Sequence, residues 1–470
     1  MTHAAEALAR EALAGAKPAV YWTDVTPSPA PTPGLADDIR ADLAIVGGGF
    51  TGLWAAVQAA ERDPGRDIVV LEAGGIGSGA SGRNGGFVAA SLTHGLAHGH
   101  HSWPSEMPEL LRQGRENLAA IGDFVARHGI DADLRLCGKT TVATEPHQVA
   151  WLEATAKLHD AYGEDAVVLD RVTARGDVDS PTYLAGLRIR SGYGLVNPAS
   201  LVHGLSRVAA GAGARIFEHS RVVTIEPAGG AVRLATPGGS VTAERVIVAT
   251  NAFPAPLPRI RRFIVPFYDY VLATEPLDEA QWRSLGWTER QGITDAANFF
   301  HYYRPTADGR ILWGGYDAVY HYGSRVAPEL EQRLATHQTL AQHFFTTFPQ
   351  LAGIRFSHRW GGAIDSTSRF TPVFGRAFDG RVAYAIGFTG LGVASTRHGA
   401  AVALDLVDDR ETALTSTALV RSQPRRFPPE PLRWLAVRIT QAELARQDRQ
   451  AGRPTLWLRM LERMGMGFTS

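Results

Sequence analysis

Gly47, Gly49 and Gly52 stand in a GxGxxG spacing, and a carboxylate, Glu72, follows twenty residues after the last of them. The chemistry that needs this arrangement is capture of a pyrophosphate and its ribose. One glycine permits a tight turn, the second lets backbone approach phosphate oxygens, and the third lets a helix pack on a strand. The amides of Phe50, Thr51 and Gly52 then open a helix whose N-terminus carries partial positive charge. Glu72 and Ala73 lie where ribose hydroxyls find an acceptor. A second constellation, Ala73 to Leu92, holds seven glycines and offers Ala80, Ser81, Arg83, Asn84, Gly85 and Gly86. Such a backbone comes very close to something flat or charged. A third group, Gly387, Gly390, Leu391, Gly392 and Val393, opens a helix that can stabilise negative charge on a heterocycle.

The elements that must position these groups are legible around them. Leu43–Val46 and Ile68–Leu71 are short branched apolar runs suited to buried parallel strands. Between them, Thr51–Ala60 is built of good helix formers and is stopped by Asp63, Pro64 and Gly65. Arg245–Asn251 is a further buried strand whose polar end, Thr250 and Asn251, belongs with ligands at the carboxyl edge of such a sheet. Pro198–Ala212 patterns as an amphipathic helix, and Ala214–Glu218 and Ser220–Ile225 as strands. Helical spacing also covers Pro104–His128, Trp151–Tyr162 and Leu330–Phe348, while Leu134–Thr144 is strand-like. Arg259–Pro276 alternates apolar and polar residues as a half-buried antiparallel strand does. Asn298–Pro305 and Arg310–Asp317 read as a hairpin turning at Asp308 and Gly309. Val382–Val407 is a strand, a glycine turn and a long helix. The fold class is therefore α/β, with a second, α+β domain built on an antiparallel sheet.

The chain has 470 residues, 45% of them hydrophobic, and 47 basic residues against 47 acidic ones, so no net field draws nucleic acid or an anionic membrane, and binding to either is not expected. One cysteine, Cys137, leaves no disulfide framework and suits a reducing cytoplasm. No window approaches eighteen consecutive apolar residues, so no membrane span is expected. His94, His98, His100 and His101 lack a carboxylate or cysteine at ligand spacing, and no metal is expected. The first residues pattern as a short surface helix, and Pro18–Pro33 as an extended connector anchored by Tyr21 and Trp22.

Six stretches, VGGGFTGLWAA, VVLEAGGIGSGASGRNGGF, GLVNPASLVHGL, RVIVATNAF, RILWGGYD and GFTGLGVASTRHGAAVA, together resemble the glycine/sarcosine/D-amino-acid oxidase (DAO) type of FAD-dependent oxidoreductase, and within it the γ-glutamylputrescine oxidase-like amine oxidases. The resemblance covers about residues 18 to 412. It implies a Rossmann-like FAD domain (38–103, 191–256 and 355–412) interwoven with a substrate domain (104–190 and 257–354). The N-terminal helix and connector (1–37) and a C-terminal helical appendage (413–470) lie outside both. It also implies that Gly47, Gly49 and Gly52 take the pyrophosphate, Glu72 the adenosine ribose, and Ser81–Gly86 the path from pyrophosphate to flavin. Val223 would serve the adenine through its backbone, Thr250 and Asn251 would lie by the cofactor, and Gly390–Val393 would face flavin N1 and O2. The implied chemistry is oxidation of an amine C–N bond: hydride to flavin N5, hydrolysis of the imine, and reoxidation by O2 to hydrogen peroxide.

Three departures shape this expectation. Aligning Gly361–Gly375 with the family's substrate-binding segment puts Ile364 where amino-acid-oxidising relatives have an arginine for the substrate carboxylate. An amine without an adjacent carboxylate is thus favoured. No lysine follows Lys157, so the oxygen-promoting lysine of relatives is replaced by a group such as Arg304 or His301, or is not replaced. The latter case implies a dehydrogenase passing electrons to a quinone or carrier. Neither the cysteine nor the histidine of covalent relatives is matched, which implies dissociable FAD. The expected pocket residues are Tyr270, His301, Tyr303, Trp360 and Asp365, with His301 keeping the amine neutral and Asp269 or Asp365 taking a distal ammonium.

Overall fold

The structure is a computed structural model describing residues 3–253 and 256–466; Met1, Thr2, Pro254, Ala255 and the tail of the appendage, 467–470, lie outside it. Two eight-stranded sheets dominate it. The first runs in the order Val373–Ala377, Val382–Ile386, Ser240–Val248, Asp38–Val46, Ile68–Leu71 and Arg215–Phe217, with the Thr224–Ala228 and Ala231–Ala235 hairpin attached to Ser240–Val248. Its central pairs are parallel and in register: Val46 lies opposite Leu71 and Val248, and Val248 opposite Tyr384. The runs LAIV, IVVL and VAYAI are buried throughout, as strands covered on both faces must be. Because the strands end level, Gly47, Glu72, Ala249–Asn251 and Gly387 come out along one carboxyl edge. The helix Phe50–Arg62 lies between the helices Gly392–Val407 and Pro198–Gly211, and buries every residue from Phe50 to Ala60.

The second sheet runs Phe356–Thr367, Ile264–Thr274, Ile311–Gly315, His301–Pro305, Gly292–Asp295, Lys139–Ala143, Ala185–Ile189 and Ala166–Leu169. It is antiparallel except where Gly292–Asp295 meets Lys139–Ala143. The expected hairpin is present as His301–Pro305 and Ile311–Gly315. One face of this sheet is covered by the helix Leu334–Thr347, and an aromatic core of Tyr270, Tyr303, Trp313, Phe344 and Phe348 fills the space between. The other face looks onto the glycine loop of the first sheet.

Several expectations need correction. The strand Phe356–Thr367 was expected with the FAD fold, yet it pairs with Ile264–Thr274 along its length and belongs to the second sheet. The helix Met107–Arg127 was expected with the second sheet, yet it packs on Gly392–Val407, where Asn117 Nδ2 donates to Ala394 O at 2.8 Å. Only Lys139–Ala143 of the segment 134–144 is a strand, and the strand expected from Ser220 begins at Thr224. The connector is not extended throughout: Tyr21–Val25 is a short helix that buries both aromatics. The N-terminal helix His3–Leu13 inserts Ala9, Ala12 and Leu13 into the aromatic core.

Candidate active site

At the carboxyl edge of the first sheet the backbone leaves no space for side chains. A Cβ on Gly52 would lie 1.9 Å from Gly47 O, and one on Gly47 2.6 Å from Ala249 O. Gly47 has φ +114°, which favours glycine. A Cβ on Gly49 would meet Ser81 Oγ at 2.8 Å, and that hydroxyl accepts from Phe50 N at 2.9 Å. Among the described residues no acceptor takes the amides of Thr51 and Gly52, so this helix start is open to an anion. Glu72 is aimed by two amides: Gly48 N donates to it at 2.6 Å and Gly74 N at 2.8 Å. At the end of the neighbouring strand, Thr250 Oγ1 is buried with no partner among the described residues. A pyrophosphate with a flanking ribose fits this cradle.

The loop that follows is held by its own polar groups. Asn84 Nδ2 donates to Ala80 O and Ser81 O at 3.1 and 3.0 Å, and its Oδ1 accepts from Gly86 N at 2.9 Å. Expected at the cofactor, the Asn84 side chain instead staples the loop. Arg83 is likewise engaged by protein: Nε donates to Ser78 O at 2.7 Å, and Nη1 pairs with Glu331 at 2.5 Å. Trp360 is buried on the same side, and its Nε1 donates to Arg83 O at 2.9 Å. It backs the loop. Arg304 is buried under the Trp22 ring, and its Nη1 donates to Gly86 O and Val196 O at 2.9 and 2.7 Å. Burial lowers its pKa to about 10; Nε and Nη1 are spent on carbonyls, while Nη2 lies 3.5 Å from Asp133 Oδ2 with no hydrogen bond among the described residues. Replacing Arg304 by methionine leaves Val196 O without its donor, while Gly86 O keeps that of Val196 N at 2.8 Å, and guanidinium unfolding should show a loss of about 1–3 kcal/mol. Val223, expected to serve an adenine, has its amide committed to Ala235 O at 2.8 Å and its side chain exposed. Val222 next to it has no backbone hydrogen bond among the described residues.

Strand parity decides which residues of the second sheet face this loop. Pairing puts Thr141, Thr294, Tyr302, Gly314, Val271 and Trp360 on one face, with Lys139, Gly292, Asp269, Phe267, Gly362 and Ile364 two residues along. Four contacts fix the direction of that face. A Cβ on Gly85 would meet the Tyr302 ring at 2.5 Å, one on Gly292 the Phe87 ring at 2.2 Å, one on Gly362 Arg83 at 3.5 Å, and one on Gly390 Ile364 Cδ1 at 4.0 Å. Tyr270, His301 and Tyr303 are one residue out of phase and point into the core behind the sheet. There Tyr270 Oη donates to Leu330 O at 2.8 Å, and Tyr303 stacks on Trp313 at 4.6 Å. His301 is held by Asp295 at 2.7 Å and His343 at 2.9 Å. These three expected pocket residues are therefore packing residues.

In their place the facing side presents Asp269 and Tyr302. Tyr302 Oη donates to Asp269 Oδ2 at 2.6 Å. Both residues keep some accessible surface despite their depth, as walls of an internal cleft do. Burial pushes the Asp269 carboxyl up to about 6, against the opposing pull of the Tyr302 hydrogen bond. Asp365, one residue out of phase with Ile364, is buried at the end of the same strand. Its carboxylate accepts from Gly387 N, and the Asn251 amide, oriented as its surroundings require, donates to both oxygens at 2.8 and 2.5 Å. Burial raises Asp365 to about 7. It thus ties the glycine turn to the strand end and is not a free ligand.

Two further residues stand out: Lys139, not singled out from sequence, and His94, considered there only as a metal ligand. Lys139 shares the Gly292 face, and its Nζ lies 4.9 Å from the Tyr193 ring centroid. His94 has φ +59° and stands 5.5 Å from Phe370, itself at φ +57°. Two strained residues in ring contact mark a place where backbone is held against its preference. Burial pushes Lys139 down to about 8 and His94 to about 4. Parity could have found Lys139 once the strand register was known; His94 was legible only as one of a histidine cluster.

Comparison with known proteins agrees with this geometry. Residues 42–406 match the family model described as DAO, FAD dependent oxidoreductase. The chain is 36% identical over 371 residues to the gamma-glutamylputrescine oxidoreductase of Escherichia coli (strain K12), covering 78% of this chain and 83% of that protein. The crystal structure of glycine oxidase from Geobacillus kaustophilus superposes with a TM-score of 0.68 at 23% identity, over 83% of this chain and 100% of that one. That of L-proline dehydrogenase from P. horikoshii superposes with a TM-score of 0.65 at 18% identity, over 81% and 96%. An oxidase and a dehydrogenase thus share the fold, which by itself does not set the electron acceptor. With a cradle for a dinucleotide, a second sheet roofing it and a family match over most of its length, the chain belongs to the DAO family of FAD-dependent oxidoreductases.

Proposed function

We propose that this protein oxidises the C–N bond of an amine that lacks a carboxylate beside the reacting carbon. The chemistry supplied by bound FAD is acceptance of a hydride from the carbon bearing nitrogen and transfer of the electron pair to O2, giving hydrogen peroxide; water hydrolyses the released imine to an aldehyde. Gly47, Gly49, Phe50, Thr51 and Gly52 would hold the pyrophosphate, Glu72 and Ala73 the adenosine ribose. Ala80, Ser81, Gly85 and Gly86 would flank the path to the ring, and Gly387, Gly390, Leu391, Gly392 and Val393 its carbonyl edge. No cysteine or histidine stands where a covalent link would need it, so denaturation should release the cofactor intact.

The observation that carries the substrate assignment is the Asp269–Tyr302 pair on the cleft face, with the aliphatic Ile364 on the same face and the neighbouring Arg83 paired with Glu331. An ionised Asp269 attracts an ammonium, takes up its proton and leaves the amine neutral for oxidation. Tyr302, locked to it, fixes the carboxylate's direction. The name of the Escherichia coli relative, an oxidoreductase of γ-glutamylputrescine, supports an amine. The test is anaerobic mixing with a panel including γ-glutamylputrescine, putrescine, glycine and sarcosine. Bleaching of the flavin by the first two, and not by glycine or sarcosine, is expected; a colourless preparation, or bleaching by glycine alone, would sink the assignment. His301→Ala, altering a residue behind the sheet, should leave the reductive rate and its pH profile within about twofold of wild type.

A second reading, a dehydrogenase serving a quinone or carrier, is favoured by the absence of lysine after Lys157. Stopped-flow mixing of reduced enzyme with O2 separates the two, slow reoxidation pointing to the dehydrogenase.

A further inference from the structure

The segment after residue 412 lies beyond the family match and differs from the rest of the chain in charge: residues 413–466 hold ten arginines, no lysine and four carboxylates. After two short helical turns, Ala413–Ser416 and Ala418–Arg421, it forms the helices Leu432–Arg449 and Leu456–Arg463. Trp457 Nε1 donates to Thr440 Oγ1 at 2.9 Å, and Arg425 holds Met464 O, so the second helix runs back along the first. The inner side is anchored. Val437 is buried with Val265 and Tyr320, Leu458 and Leu461 are buried, and Asn298 Nδ2 donates to Asp448 at 2.7 Å.

The outer side has a different composition. Leu432, Leu435, Arg438, Ala442, Arg446 and Arg449, spaced by three or four, form one exposed stripe. Leu456, Arg459, Met460 and Arg463 are exposed on the second helix. Leu432 is 60% accessible, Trp434 39%, Leu435 50%, Leu456 83% and Met460 42%. The four acids leave this side in arginine excess. Asp448 is turned to Asn298, Glu430 is held by Tyr320 and the Gly323 amide, Glu443 reaches Arg446 only at 3.9 Å, and Glu462 is exposed on the second helix with Arg459 and Arg463. Large apolar side chains interleaved with outward arginines are what an interfacial helix presents, its leucines and tryptophan entering the headgroup layer while guanidinium groups meet lipid phosphates.

We propose that the C-terminal helix pair docks this protein on an anionic lipid bilayer surface. It lies on the surface without spanning it: no helix among the described residues is long and apolar enough to cross a membrane. A second copy is the poorer occupant, because a two-fold contact would bring this arginine-rich face onto itself.

The test is flotation of the full-length holoenzyme with phosphatidylcholine vesicles, with and without phosphatidylglycerol at roughly one part in four. Expected is recovery with the anionic vesicles only, reversed by about 0.5 M salt. The triple variant Arg438→Glu, Arg446→Glu, Arg449→Glu should lower partitioning at least about a hundredfold while keeping the flavin spectrum. Leu435→Asp with Leu456→Asp should weaken it at low salt. Three outcomes would overturn the inference: no recovery with anionic vesicles, undiminished binding by the triple variant, or a dimer in ultracentrifugation that the triple variant abolishes.

Discussion

Gly52→Val purifies without its flavin. The expected FAD content is below about a tenth of wild type, read from the visible spectrum and from cofactor released on denaturation. The reason is geometric. A Cβ on Gly52 would lie 1.9 Å from Gly47 O, and a backbone carbonyl in a turn set by φ +114° cannot rotate away as a side chain can. Either the helix Phe50–Arg62 withdraws from the strand Asp38–Val46, or the turn opens; both move the free amides of Thr51 and Gly52 off the pyrophosphate. Gly48→Ala is the milder change, since its Cβ would meet the end of the Ile76 side chain at 2.5 Å, an atom that can move, and Glu72 Cβ at 3.0 Å, which needs only a small adjustment. It should keep most of its FAD. If Gly52→Val purified yellow with a normal spectrum, the assignment of this turn to the cofactor would fall.

Asp269→Asn should lower kcat/KM for a bleaching amine by about 10²–10³, with FAD content unchanged. Its carboxyl is pushed up to about 6 by burial, so the fraction ionised, and with it capture of a cationic amine, rises with pH through that value. The wild-type profile of kcat/KM should therefore carry an acid limb near 6 that the asparagine enzyme lacks. Tyr302→Phe removes a hydrogen bond that favours the ionised form, so the limb should move to higher pH, with a smaller loss in rate. Both follow from steady-state rates between pH 5 and pH 9. An acid limb that survives in Asp269→Asn would assign it to another group, and Lys139 and His94 on the cleft would be the next to test.

The cradle was legible because its physics is local. Gly47, Gly49, Gly52 and Glu72 act through a turn, a helix start and a strand end that lie within one stretch of chain, and spacing alone specifies all three. The seven-glycine loop was legible as a close approach of backbone. Its side chains were not: Asn84 and Arg83 look like ligands in sequence, yet in the fold they satisfy Ala80 O, Ser81 O, Ser78 O and Glu331.

On the second sheet, by contrast, residue type was a poor guide. Tyr270, His301 and Tyr303 carry the right chemistry on the right strands, but they are one residue out of phase with Tyr302 and Asp269. By itself, then, the amino-acid sequence determined the family, the dinucleotide cradle and the alternation of the sheet strands. Only the tertiary structure decided which phase of that alternation faces the cleft. A strand's two faces differ by one residue in register, and the choice depends on what packs behind it: the aromatic core under Leu334–Thr347 claims one set of side chains and leaves the other to the site.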